Sequence, residues 1–581
     1  MRFPRLFFIP ILLFFSLGTA FSQEKEELPP GHPPIENKAA AEANGAASAA
    51  PLMAPLERPA RPEAALKELR VMPVQSGGRL KPLDTLARET SKLFSGKESI
   101  AGRDPVEIIF SMLFNPKFWE EHEFLKVDYY PLRKDLMLPE GKRFFSLKEL
   151  RANERLFPLF QTLQNKEKNE EKLDPYFQAV SRIRNQFNYF AFLISGKLFT
   201  MVPPKPGAES DRWIGLDELD ETQKMRFWLI AATFENPDPL VQARAGEKAQ
   251  EFVSMAMAVN PEIYPSRNLM RTEAHYNSFR PWRWAWVVAI LAMVALSISL
   301  VKDNKLFGRI GMGLFLVSFF VQIYGFILRV VIAGRPPVTN MFESVIWVGF
   351  GTMVFGLIIE MIYRKRVVAL CSLGFAALCL ILSDVSTTVL DRSIHPLEPV
   401  LRSNFWLLIH VLTITISYSA FAISLAVGNM ALAPFVFLGR ESKIFPLKDM
   451  ALYAYRSVQV GVFLLGAGTI LGGVWADYSW GRFWGWDPKE TWALIAFLGY
   501  VAIIHARFRG MLREFGFLAA CIIAFLLVVM AWYGVNFVLG AGLHSYGFSS
   551  GGNTEMFIYC AVQCAFVGYA IFLRNRALRA K

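Results

Sequence analysis

Two hydrophobic patterns divide the chain. Residues 23–280 mix apolar and charged positions, whereas residues 281–581 are dominated by long apolar runs. From Trp284 onward the runs fall at 284–301, 308–333, 343–363, 367–384, 405–437, 458–476, 490–507, 515–537 and 555–573. Each is near the length that crosses about 30 Å of hydrocarbon at a rise of about 1.5 Å per residue. They predict nine transmembrane helices, the fifth long enough to tilt or to reach beyond the bilayer. Within 66–280 apolar residues recur at helical spacing, as from Phe187 to Phe199 and from Gln223 to Phe234, which predicts a mostly helical soluble domain. The fold class is all-α: a polytopic helical membrane protein with an N-terminal extracytoplasmic domain.

The chain start reads as an address. Arg2 and Arg5 precede an apolar stretch from Leu6 to Leu17, and Ala20-Phe21-Ser22 offers small residues ahead of a cut before Gln23. Residues 1–22 are therefore read as a signal peptide; an uncleaved first membrane helix is the alternative, and either sends the next segment outside. Residues 23–65, rich in Ala, Pro and Glu, bury too little to offset the entropy of ordering and read as a disordered linker. Residues 66–280 form the extracytoplasmic domain and 281–581 the transmembrane domain. The run Pro73-Val-Gln-Ser-Gly-Gly-Arg-Leu-Lys-Pro-Leu-Asp84-Thr85 predicts a turn at the Gly pair, with Asp84 or Thr85 capping the helix after it. A structural turn is preferred over a binding loop.

Charge sets the orientation. With the soluble domain outside, the inner loops and C-terminus hold 17 Lys and Arg, from Lys302 to Lys581, and the outer loops hold 5, namely Arg335, Arg392, Arg402, Arg482 and Lys489. Positive residues favour the cytoplasmic side, so the C-terminus is expected inside a bacterial inner membrane. This asymmetry largely explains the net charge of +12, and nucleic acid is not needed as a partner. None of the five cysteines stands in a C-x-x-C pattern, which gives no disulfide framework and no c-type heme attachment motif.

The candidate chemistry lies outside. Trp475, Trp480, Trp484, Trp486 and Trp492 fall within 18 residues, interleaved with Gly481, Gly485, Asp487 and Glu490. One or two tryptophans are ordinary at a membrane interface. Five among glycines suit a flat apolar ligand, with indoles giving broad faces and glycines close backbone approach. Asp487 ahead of Pro488 is placed to cap the seventh span, a role at least as well supported as ligand contact. His410 sits near the outer end of span five and His544 in the last outer loop. His505 lies roughly 22 Å along span seven from Glu490, near the cytoplasmic end. A lone intramembrane histidine often only joins two helices. Two histidines flanking an aromatic outer loop fit a narrower role, since neutral imidazoles bind heme iron from its two axial sides. His395, next to Pro396, reads as a turn. Arg329 and Arg335, near Gly334-Arg-Pro-Pro-Val-Thr339-Asn340, are weaker candidates for a carboxylate partner, and Thr339 or Asn340 for a cap.

These motifs carry a resemblance. The stretch Trp480-Gly-Arg-Phe-Trp-Gly-Trp-Asp-Pro-Lys-Glu-Thr-Trp492, with His410 in Asn404-Phe-Trp-Leu-Leu-Ile-His and His544 in Leu-His-Ser-Tyr-Gly, resembles the tryptophan-rich signature of the CcsA/ResC type of cytochrome c biogenesis protein. The likeness covers roughly residues 310–575. It implies that heme b is bound ligand and substrate, and that His410 and His544 are the outer ligands of its iron. It implies His505 as a ligand within the membrane, and Trp480, Trp484, Trp486, Asp487 and Trp492 as the loop holding the heme edge. It further implies a CcsB/ResB-type partner, here a separate chain, and attachment of heme to the Cys-x-x-Cys-His of apocytochrome c, a heme lyase activity. The long external domain departs from the minimal pattern of that family.

Two rivals stand beside this reading. One is a heme carrier that exports heme but ligates nothing. The other is a di-heme b-type electron-transfer subunit, which needs paired histidines at each depth, whereas only His505 sits near the inner face. A plain transporter fits least, because the spans show no evident repeat.

Overall fold

The structure is a computed structural model that describes residues 56, 60–171, 173–386, 390–396, 405–539 and 553–579, with the side chain of Leu407 excepted. The signal segment, most of the linker and His544 lie outside the described residues. The chain divides at Phe279/Arg280 into two compact units.

The unit ending at Phe279 is mostly helical, as its periodicity predicts. Its core gathers Phe94, Phe110, Trp119, Phe190, Phe227 and Phe252, all buried. Its first described helix, Glu63–Arg70, begins inside the segment read as linker. The Gly pair closes a hairpin rather than an isolated turn. Strand β1 (Pro73–Ser76) pairs antiparallel with β2 (Arg79–Pro82), Ser76 opposite Arg79. Gly77 and Gly78 have φ of 62° and 77°, the left-handed pair a two-residue hairpin turn requires. The next helix, Leu83–Ser95, takes Pro82 as its N-cap and has no side-chain cap. The cap expected from Asp84 or Thr85 is corrected: β2 runs straight into the helix, so both residues already lie in its first turn. They serve tertiary contacts instead. Thr85 donates to Glu273 at 2.7 Å, Arg79 bonds both Glu273 oxygens at 2.8 and 2.6 Å, and Asn277 donates to Asp84 at 3.0 Å. The hairpin thereby fastens the last helix of the unit, Arg267–Phe279.

The second unit is built from helices α1 (Pro281–Lys302), α2 (Lys305–Ala333), α3 (Met341–Tyr363), α4 (Val367–Val385), α5 (Phe405–Leu438), α6 (Leu447–Trp480), α7 (Pro488–Phe508), α8 (Glu514–Val529) and α9 (Asn553–Arg579). A π-helical segment, Met530–Leu539, extends α8. Among the described residues nine helices are long and apolar enough to cross a membrane, in line with the nine predicted spans, and the protein is a multi-pass membrane protein. α4 and α5 are the most enclosed, with 78% and 72% of their apolar windows buried, whereas α7 and α9 bury 17% and 11%. The most extensive packing joins α5 to α6, followed by α1 to α2 and α3 to α4.

Successive spans alternate in direction, so one end of this unit collects the start of α1, the end of α2, the start of α3 and the end of α4. Charge pairs tie it together. Arg329 on α2 and Glu343 on α3 are both fully buried and 2.8 Å apart. Arg329 also donates to the carbonyl of Arg392 at 3.0 Å. The other oxygen of Glu343 accepts from the Thr339 amide and hydroxyl at 2.8 and 2.7 Å. Asn340 caps α3 by accepting from Glu343 N. Arg335 lies 3.5 Å from Glu343 and donates to the His395 carbonyl at 2.8 Å. Nearby, Asp384 takes Arg283 at 2.9 Å and Arg392 at 3.5 Å. Arg329 and Arg335 are therefore structural clamps, not free partners for a ligand carboxylate.

Removing one partner of a buried pair strands the other charge, at a cost of about 3–5 kcal/mol. Arg329→Met or Glu343→Leu alone should sharply lower the melting temperature of the detergent-solubilised protein, more than Arg335→Gln. The double variant should recover much of the loss, as thermal unfolding monitored by circular dichroism would read.

Candidate functional site

The site forms where α5 starts and α6 ends. These helices run antiparallel at a separation that glycine sets. A Cβ on Gly461 would lie 2.5 Å from the Phe421 ring, on Gly468 2.6 Å from Ile414, and on Gly472 2.5 Å from Cε1 of His410. The steps of seven and then four along α6 are matched by the same steps back along α5, so the three contacts share one face of each helix. His410 is the last of them, half-buried with its ring against Gly472.

Which ring nitrogen donates follows from this geometry. His410 Nδ1 lies 2.7 Å from the Gly468 carbonyl oxygen. A carbonyl only accepts, so Nδ1 carries a proton, and in the neutral form of the ring the lone pair is on Nε2. A backbone carbonyl behind an imidazole is also how metal-ligating histidines are commonly fixed in tautomer and orientation. The ring lies almost parallel to that of Trp475, planes 8° apart and centroids 6.5 Å apart.

From Trp475, itself buried, the aromatic series continues across the helix end. Trp480 packs edge-on against it at 4.6 Å. Gly481 ends α6 in the left-handed region at φ 68°. Trp484 and Trp486 form a second edge-to-face pair at 5.9 Å. Trp486 is 70% exposed and has φ of 57°, a conformation that costs a bulky residue about 1–3 kcal/mol. Trp492 is half-buried on the first turns of α7. Asp487 is the N-cap of α7: it accepts from the Lys489 amide at 2.9 Å, while Glu490 accepts from the Asp487 and Gly485 amides at 3.2 and 2.8 Å. This capping box fixes how the loop leaves the membrane helix.

The remaining predicted residues are elsewhere. His505 is exposed on α7 about 27 Å from Asp487 along the axis, its Nδ1 donating to the Val501 carbonyl at 2.8 Å. His544 lies outside the described residues. His395 is exposed, 3.0 Å from Asp391, and belongs to the clamp loop. The structure thus brings His410, Trp475 and Trp480 together, pairs Trp484 with Trp486, and sets His505 apart. Sequence reasoning missed Gly468 and Gly472. Their spacing with Gly461 was the available signal, but glycines at helical spacing matter only once the facing helix is known.

Site and fold define a class: a polytopic helical membrane protein with a histidine stacked on one indole, and further indoles packed edge to face, at one end of the bundle. Residues 338–544 match the family described as Cytochrome C assembly protein. The chain is 30% identical over 303 residues to cytochrome c biogenesis protein CcsA of Prochlorococcus marinus strain MIT 9215, covering 92% of it and 45% of this chain. It is 32% identical to CcsA of strain MIT 9312 at the same coverage. It therefore belongs to the CcsA-type family of cytochrome c biogenesis proteins. It is also 28% identical over 498 residues to protein NrfI of Wolinella succinogenes, matching 81% of this chain but 53% of that relative, so it spans about half of NrfI. A solved structure of cytochrome c heme lyase CcmF aligns with 51% of the chain and 50% of its own length, at a TM-score of 0.36 and 15% identity.

Asp487→Ala should destabilise by about 1 kcal/mol through loss of the cap. Asp487→Asn, an equally good cap that lacks the charge, should melt within a few tenths of a kcal/mol of the unaltered protein. Thermal melts of both variants separate a capping role from a charge role.

Proposed function

We propose that the chain binds heme b at the outer face of the bacterial inner membrane and attaches it to the Cys-x-x-Cys-His segment of apocytochrome c, together with a CcsB/ResB-type partner chain. The carrying observation is the His410 imidazole, whose Nδ1–H donates to Gly468 while its ring lies parallel to Trp475. With Nδ1 committed to that carbonyl, Nε2 is the nitrogen left for iron when the ring is neutral, beside an aromatic wall, as an axial ligand beside a porphyrin edge requires. Family membership supports the same reading.

In this account heme is the substrate. His410 and His544 hold its iron from opposite sides at the outer site. Trp480, Trp484, Trp486 and Trp492 border the macrocycle, and Asp487 keeps their loop in place. His505, exposed at the other end of α7, serves heme earlier, at the inner level, where the partner chain supplies the second ligand. The apocytochrome histidine replaces one outer imidazole, which sets its two thiols beside the vinyl groups. Each S–H adds across one C=C: a C–S bond forms, the thiol hydrogen ends on the neighbouring carbon, and nothing is oxidised, reduced or released. The chain contributes chiefly by positioning, which can supply a large part of a rate enhancement. The 66–280 region is proposed to fold as a domain of the extracytoplasmic compartment, with the C-terminus cytoplasmic.

The test is thioether formation by the purified complex on a Cys-x-x-Cys-His peptide, followed by mass spectrometry. The unaltered complex should yield heme-linked peptide. His410→Ala and His544→Ala should lose most of it and regain part with added imidazole. Bound heme without any linked peptide would instead mark a carrier. Gly472→Ala, which sets a methyl group where the His410 ring lies, should also lower the yield, and imidazole should partly restore it.

A further inference from the structure

The Trp-rich loop carries two cations. Arg482 follows the end of α6, and Lys489 sits in the first turn of α7. Neither has a carboxylate within ion-pair distance among the described residues. The loop's own acids are accounted for: Asp487 and Glu490 accept backbone amides in the capping box, and Asp477 is exposed one turn back on α6. Asp487 contacts Lys489 through the Lys489 backbone amide, and the two side chains form no ion pair. This contrasts with Arg283, Arg329, Arg335 and Arg392, which all have carboxylate partners.

Arg482 is also held in place. Its guanidinium lies over the Trp480 ring, 5.8 Å from the centroid. Its Nη1 occupies the position a Cβ of residue 485 would take, only 0.8 Å from it. Gly485 is thus a notch that seats the guanidinium among the indoles. Its φ is not positive, so the fold uses its lack of a side chain rather than its backbone freedom.

We infer that Arg482 and Lys489 form a carboxylate clamp for the ligand of the aromatic loop, seated through Gly485, and that they take the two propionates at one edge of a porphyrin. This rests on the heme reading above. A porphyrin pairs a broad apolar face with two carboxylates on one edge, and the loop pairs indoles with two cations that have no carboxylate partner among the described residues. Arg suits bidentate carboxylate recognition, and Lys adds a point charge. With the carboxylates held, the opposite edge, bearing the vinyl groups, points away from the clamp toward an incoming thiol.

The experiment compares heme with its dimethyl ester, which keeps the iron and the ring but lacks both carboxylates. Full-length protein, purified with its partner, is loaded with each and retention is titrated through the Soret band. The unaltered protein should retain heme at least tenfold better than the diester. Arg482→Gln and Lys489→Gln should each weaken heme retention roughly tenfold, the scale of one charge-assisted hydrogen bond, and leave diester retention unchanged. Gly485→Ala should behave like Arg482→Gln, because its methyl evicts the guanidinium while Arg482 itself remains. Arg482→Lys and Lys489→Arg should retain most of the preference. Equal retention of heme and diester by the unaltered protein would overturn the clamp while leaving the heme reading intact, and would point to lipid phosphates as the cations' partners. Retention of neither compound would remove the heme reading itself.

Discussion

The site depends on two helices lying closer than most side chains allow. Gly461, Gly468 and Gly472 on α6 accept Phe421, Ile414 and His410 of α5, with virtual Cβ contacts of 2.5 to 2.6 Å. Lipid tails are as apolar as leucine, so helices in a bilayer gain association from close packing more than from the hydrophobic effect, and small residues permit it. Here the same glycines that bring the helices together also bring a carbonyl to His410 Nδ1. Packing and imidazole tautomer are thereby set by one contact, and a methyl group at Gly472 would disturb both.

Around that contact the bundle end is stiffened by polar groups the membrane would otherwise penalise. Arg329 and Glu343 share a fully buried pair, and Thr339, Asn340 and the Arg392 carbonyl satisfy their remaining valences. Asp487 and Glu490 do the same for the amides at the start of α7. A buried charge pair is weak evidence for stability as such, because desolvation offsets much of its attraction. Its effect here is geometric: the pair fixes where the ends of α2 and α3 stand relative to the loop at 390–396. The exposed Trp486, held at positive φ, is tolerated on a loop anchored at both ends.

The nine apolar spans were legible because an uninterrupted apolar run of about twenty residues matches the bilayer core and little else in a folded chain. Asp487 as a cap was legible because Asp-Pro before an apolar helix has a local mechanism. Arg329 was not. An arginine at the end of a span reads equally as a ligand partner or an interfacial anchor, and only the fold reveals Glu343 fourteen residues later as its mate. The hairpin at Gly77-Gly78 was half legible: the turn was read, but four-residue strands leave too short an alternation to register. His410 stood out by residue type, whereas Gly468 and Gly472, which orient it, carry no chemistry until the antiparallel partner is known.

The central claim is that His410 Nε2 is an axial ligand of heme iron. It is tested most directly by the absorption spectrum of the full-length protein purified from membranes with its partner chain. Sharp Soret, α and β bands of six-coordinate low-spin heme are predicted on reduction. In His410→Gly they should weaken and broaden, and imidazole added to that variant should restore them. A His410→Gly spectrum that matches the unaltered protein in intensity and band shape, from a preparation shown to be folded, would contradict the account.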